Sequence, residues 1–118
     1  ILTKYKTFML IVTQKDENSE TAFFESSNVL YVKYRDDLHK MAIIFEKGGY
    51  YLYHDVPKYV YLRIKNSDSQ GKKIHELLIK DRRGKALYKE EKIKTLKAEE
   101  LNLLKEEIEK MKTPHEKE

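Results

Sequence analysis

The chain has 118 residues, of which 40% are hydrophobic and 37% charged, with a formal net charge of +4. This length fits one domain with a single modest core, and no apolar run approaches the roughly 18 residues that a membrane-spanning helix needs. The sequence contains no cysteine, which excludes disulfides, thiol catalysis and cysteine metal ligands. These properties predict a cytoplasmic protein without a membrane anchor.

The first half of the chain shows the alternation and turn signals of an antiparallel meander. Strands are expected at residues 4–14, 20–25, 26–34, 39–47 and 50–55. Gly48 and Gly49 can take the positive φ values of a two-residue hairpin loop between the last two of these strands. The pattern predicts a twisted sheet of four or five strands.

After Pro57 the hydrophobic period changes from two to about 3.6, which indicates helices. Asp55 is expected to cap the first helix, and residues 66–71 separate it from a second short helix. The apolar positions on these helices, predicted to lie in the core, are Val60, Ile64, Ile74, Leu77 and Leu78. The fold class is therefore α+β, an antiparallel meander followed by two short helices and a long C-terminal helix.

Residues 84–118 form a second region, after an α+β domain at 1–83, and residues 85–112 read as one charged helix. The apolar positions along this helix are Ile93, Leu101, Leu104, Ile108 and Met111. They could dock on the sheet or pair with another copy of the chain. A helix of 28 residues is about 42 Å long, whereas a six-residue strand spans only about 20 Å. The second alternative is favoured, and a homo-oligomer is predicted.

Residues 48–79 carry the pattern GGxYxYxxVPxxVY followed by SxGxxxxxxxI. The residues that match it are Gly48, Gly49, Tyr51, Tyr53, Val56, Pro57, Val60, Tyr61, Ser69, Gly71 and Ile79. This pattern resembles the KTSC domain, a short module found as a tail on some lysyl-tRNA synthetases and as small free-standing bacterial proteins. The resemblance covers residues 26–83 and departs from the family at Ile74 and His75, where an aromatic residue and an asparagine are usual. It implies no established activity, although RNA binding is an expectation attached to the family.

The basic excess is concentrated in residues 58–83, which hold eight Lys or Arg against three Asp or Glu. The residues predicted to contact phosphate or nucleic acid are Ser69, Gly71, Lys72, Lys73, Arg82 and Arg83, with Tyr51 and Tyr53 as stacking rings. A helix start offers free N–H groups and a partial positive charge, lysines add full charges, and aromatic rings can stack on bases. The alternatives are a capped helix start with solvated lysines, and tyrosines that simply build the junction between sheet and helix.

These observations favour a non-catalytic binding module for RNA, a nucleotide or another phosphate-bearing ligand. The alternative is an interaction module that oligomerises through its C-terminal helix. The four histidines lack ligand spacing, so no metal or other cofactor is expected. No serine or threonine is placed to act as a nucleophile beside the His54-Asp55 pair, so no enzymatic activity is predicted.

Overall fold

The computed structural model describes residues 10–25, 28–79 and 87–112. A six-stranded antiparallel sheet forms the centre of the fold, and each strand pairs with the next strand along the chain. The strands are β1 (Leu10–Lys15), β2 (Ser19–Phe24), β3 (Val29–Arg35), β4 (Lys40–Phe45), β5 (Gly49–Tyr53) and β6 (Glu90–Thr95). The helices are α1 (Lys58–Lys65), α2 (Gln70–Ile74), which continues into a π-helical turn (His75–Ile79), and α3 (Ala98–Lys112). The predicted α+β meander is confirmed, with six strands instead of four or five.

One face of the sheet packs against α1, α2 and the π-helical turn. The fully buried members of this core include Val32, Met41, Ile43, Ile64 and Leu78. Val60, Ile64, Ile74 and Leu78 are buried as the helical pattern predicts, whereas Leu77 is half-buried at the margin of the core. The buried helical residues lie on one face of their helices, as a period of 3.6 predicts. The change of period after Pro57 therefore marks the boundary between β5 and α1 correctly.

The segment before α3 differs from the prediction, because residues 90–95 form β6 and not the first turns of a long helix. The backbone of β6 pairs with β5, and the side chains add to this pairing: the Tyr53 hydroxyl donates to Glu90 Oε2, and His54 Nε2 lies 3.0 Å from Glu91 Oε1. A charged segment with good helix propensity thus becomes a strand because an unpaired sheet edge is available. The helix begins at Ala98, and the Lys97 N–H donates to Glu100 Oε1 at 2.9 Å.

The apolar stripe of α3 lies against the second face of the sheet and does not project beyond it. Ile108 is only 5% exposed and packs with Phe23, Leu30 and Ile44 of the sheet. The other members of the stripe are half-buried in the same cluster: Leu101, Leu104 and Met111. The predicted exposure of this strip is wrong, because α3 has 15 residues and packs across the sheet. The role of these residues in oligomerisation stays a prediction.

Ile93, the remaining residue of the predicted strip, lies on β6 and is 41% exposed. The register of β5 and β6 shifts at this position, so Ile93 occupies a bulge between Lys92 and Lys94. Bulges and lysines on an edge strand hinder further strand pairing. The prediction that Ile93 continues the helical stripe is therefore also wrong, and the local geometry disfavours association along this edge.

The hairpin between β4 and β5 has a three-residue loop in place of the expected Gly-Gly pair. Gly48 has a φ of +104° and donates its N–H to the Phe45 carbonyl at 2.8 Å, while Gly49 is already the first residue of β5. A glycine with positive φ is typical of three-residue hairpin loops. The loop presents Glu46 and Lys47 at the end of the sheet that lies next to α2.

The junction between β5 and α1 is built largely from tyrosines. The rings of Tyr34 and Tyr61 stack with centroids 5.4 Å apart, and the Tyr34 hydroxyl donates to the Val56 carbonyl at 2.7 Å. The predicted cap is wrong, because Asp55 has a φ of +56° and α1 begins after Pro57 without a side-chain cap. Tyr34 and Tyr61 are fully buried, so both rings serve packing at this junction.

Candidate functional site

The segment before α2 is held in place by local hydrogen bonds. Ser67 Oγ accepts the Ser69 N–H at 3.0 Å and donates to the Ser69 carbonyl at 3.0 Å. Gln70 is fully buried, and its side-chain amide donates to the Ser67 carbonyl at 2.8 Å. The hydroxyl of Ser69 does not cap α2. The predicted helix start is thus present, and it is held by hydrogen bonds from Ser67 and Gln70.

A polar depression with a volume of about 580 Å³ lies at this helix start. Its lining residues are Ser67, Asp68, Ser69, Lys72, Lys73, His75 and Glu76. Lys73 forms an ion pair with Glu76, with 3.2 Å between Nζ and Oε1. Lys72 is exposed and has no ion-pair partner among the described residues. The depression therefore presents one unpaired ammonium group beside the carboxylate of Asp68.

An apolar groove of about 470 Å³ lies next to the depression, between α2 and the β4–β5 hairpin. Its lining residues are Asn28, Phe45, Glu46, Lys47, Gly71, Ile74, His75 and Ile79. Gly71 packs closely against Asn28 in this groove, because a Cβ at position 71 would lie 2.8 Å from Asn28 Nδ2. Only glycine permits this close approach of α2 to Asn28, the residue before β3, without displacing the Asn28 amide.

His75 lines both the depression and the groove, so the two form one continuous surface, which we call the composite site. The residue is exposed and begins the π-helical turn. Such π-helical turns are often found at functional positions. The composite site joins an apolar slot containing the Phe45 ring to a polar rim with Lys47 and Lys72. This arrangement can hold a planar ring and a phosphate of the same ligand.

The structure brings together half of the predicted phosphate-binding residues. Ser69, Lys72 and Lys73 line the depression, and Gly71 lines the adjoining groove. Arg82 and Arg83 lie outside the described residues.

The predicted stacking role of Tyr53 is wrong, because its ring is 1% exposed. Burial, together with the hydrogen bond to Glu90, raises the pKa of the Tyr53 phenol far above its usual value. Tyr51 is half-buried, and its ring contacts Phe45 edge to face at a centroid distance of 5.7 Å. Lys92 Nζ lies 5.9 Å from the centroid of the same ring. Tyr51 thus supports the groove wall through Phe45.

The charge of residues 58–83 is less available than its sequence suggests. Lys58 pairs with Asp36 at 3.3 Å, and Lys65 donates to the buried Glu20 at 2.6 Å. Both carboxylates lie outside residues 58–83, so a count of charges within that segment does not show that they neutralise two of its lysines. Within the described part of this segment, Arg63 and Lys72 are the lysine and arginine residues without an ion-pair partner.

The lining residues of the composite site that sequence reasoning misses include Asn28, Phe45, Lys47 and His75. Phe45 continues the alternation of Met41 and Ile43 toward the first core, a signal that could have placed its ring on this face. The other three residues carry no signal of their own, because register and helix placement decide which side chains meet.

The comparisons with known proteins identify the central region. Residues 25–81 match the family model of the KTSC domain, so the chain contains a KTSC domain. A crystal structure of a KTSC domain protein from Yersinia pestis is similar with a TM-score of 0.53 and 24% identity, covering 64% of this chain and 99% of that one. No curated protein matches the sequence. All residues lining the composite site lie within the matched range, whereas β1, β2, β6 and α3 lie outside it.

Within residues 10–25, 28–79 and 87–112, no group of three or more His, Asp or Glu side chains could hold a metal ion. None of the described helices is long and apolar enough to cross a membrane.

Proposed function

We propose that the protein is a non-catalytic binding module that holds single-stranded RNA, or another phosphate-bearing ligand, at the composite site. The observation that carries this proposal is the continuity of an apolar groove with a polar, lysine-bearing rim through His75. A nucleotide offers a flat ring and an anion a few ångströms apart. Base-aromatic stacking contributes about 1–3 kcal/mol per base, and Phe45 is the ring available for it.

The electrostatics of the composite site favour an anion modestly. Lys47 and Lys72 have no ion-pair partner among the described residues. Among the carboxylates that line the site, Asp68 likewise has no ion-pair partner within the described residues. Glu76 and Glu46 are each paired with a lysine. The excess of one positive charge predicts weak binding in which ring contacts and phosphate contacts both contribute.

The test is the salt dependence of binding to a short single-stranded RNA of mixed sequence, measured by fluorescence anisotropy. For single strands, the slope of log affinity against log salt is about −0.7 per neutralised phosphate. Contacts from Lys47 and Lys72 therefore predict a slope of about −1.4. Lys72→Ala is expected to weaken binding and to reduce the slope by about 0.7.

Lys110→Ala is the matched control, because Lys110 lies on α3, is 74% exposed and pairs only with Glu107 of the same helix. It removes the same charge from a remote position and is expected to leave affinity and slope nearly unchanged. Equal effects of the two variants would show that binding follows net charge and not the composite site. A wild-type affinity that is absent or independent of salt would contradict the proposal.

The homo-oligomer predicted from the sequence has no comparable support. The stripe that was expected to carry it is packed on the sheet, as described for α3. Self-association stays a prediction.

A further inference from the structure

Glu46 lies between the composite site and α3. It lines the apolar groove on one side, and on the other it borders a small depression beneath α3 together with Lys105 and Ile108. Its Oε2 accepts a hydrogen bond from Lys105 Nζ at 2.9 Å. The carboxylate that faces the groove is therefore neutralised by a residue from outside the KTSC match.

The packing of α3 fixes the position of Lys105. Ile108, one turn further along the helix, is buried against the sheet, and Leu104 is half-buried beside it. The Lys105 and Glu46 side chains are 39% and 36% exposed, so water screens their pair only in part. Such a half-exposed pair contributes little to stability, but it decides whether the composite site keeps its excess of one positive charge.

We propose that Lys105 is a positioning residue for ligand binding, which sets the affinity of the composite site by neutralising Glu46. This inference rests on the proposed function. Without Lys105, the Glu46 carboxylate would stand uncompensated near a bound phosphate and repel it. A like charge at about 6–8 Å in a partly solvated environment is expected to weaken binding about 3- to 10-fold. A residue of α3, outside the KTSC match, thus sets the ligand affinity of a site whose lining residues all lie within that match.

A double-mutant cycle with the same RNA probe tests this inference. Lys105→Ala is expected to weaken binding about 3- to 10-fold, and Lys105→Arg is expected to retain wild-type affinity. Glu46→Gln is expected to bind at least as tightly as the wild type. In the Glu46→Gln background, Lys105→Ala is expected to have no further effect, because the charge that it neutralises is gone.

The outcomes separate this inference from the proposed function. If the wild type binds RNA and Lys105→Ala does not weaken binding, the inference is overturned while the proposed function stands. An equal loss from Lys105→Ala with and without Glu46→Gln overturns it as well, because Lys105 would then contact the ligand directly. If the wild type does not bind RNA, both fall together. Lys110→Ala again controls for net charge, and urea unfolding confirms that each variant is folded.

Discussion

Replacing Glu20 with glutamine is expected to destabilise the protein in a pH-dependent way. The Glu20 side chain is 10% exposed and accepts hydrogen bonds from Tyr61 at 2.8 Å and from Lys65 at 2.6 Å. Hydrogen bonds to a charged partner contribute about 1.5–3 kcal/mol each and neutral ones about 0.5–1.5 kcal/mol. Loss of the charge from two such bonds therefore predicts about 2 kcal/mol lower free energy of unfolding at neutral pH.

The pH dependence follows from the pKa of Glu20. Burial acts to raise this pKa, but the hydrogen bonds from Lys65 and Tyr61 outweigh it and hold the pKa below the usual 4.5. A carboxyl whose pKa is lower in the folded state stabilises fully above its unfolded pKa, and this stabilisation is lost as pH falls through the folded value. The difference between wild type and Glu20→Gln is therefore expected to shrink below about pH 4.5.

Urea unfolding at neutral pH and at several acidic pH values measures both effects. Glu17→Gln is the matched control, because Glu17 lies in the neighbouring turn and is exposed. It is expected to change stability by less than about 0.5 kcal/mol. A Glu20→Gln effect as small as this control, or one that stays constant into the acidic range, would refute the reasoning.

The remaining stability predictions concern the two cores, and urea unfolding measures each of them. Ile108→Ala is expected to cost about 2–4 kcal/mol because it opens a cavity under α3. Leu103→Ala, at a 63% exposed position of the same helix, is expected to stay within about 0.5 kcal/mol. Equal effects of this pair would show that α3 does not pack as described. Leu78→Ala is expected to cost about 2–5 kcal/mol, because Leu78 is fully buried. Leu77→Ala is expected to cost clearly less, because Leu77 is only half-buried. The reverse order of the two costs would contradict the placement of this helix.

Local patterns were sufficient for most of the fold. Alternation located five strands, and the change of period at Pro57 located α1 and α2. Residues 90–95, EEKIKT, were predicted as helix because glutamate and lysine favour helices. They form a strand because they pair with the free edge of β5, which is a tertiary feature that the local sequence does not show. The predicted length of the C-terminal helix was wrong for the same reason, and with it the exposure of Leu101 and Leu104.

Of the candidate site, the sequence predicts only the part that α2 contributes. Ser69, Gly71 and Lys72 belong to a short helix-start motif that a sequence displays directly. Asn28 and Lys47 reach the same place through the register of β3 with β4 and the three-residue loop at Gly48. Pairings between such distant positions have no local signature, so the groove itself was beyond sequence reasoning.

Chemical-shift mapping of backbone amides with the short single-stranded RNA tests the central claim most directly. The account predicts that the largest changes fall on Asn28, Lys47, Gly71 and His75, which line the groove, His75 lining the depression as well. The turn at residues 16–19, at the opposite end of the strands, is expected to stay unchanged. Shifts concentrated in that turn, or no shifts at millimolar RNA, would contradict the account.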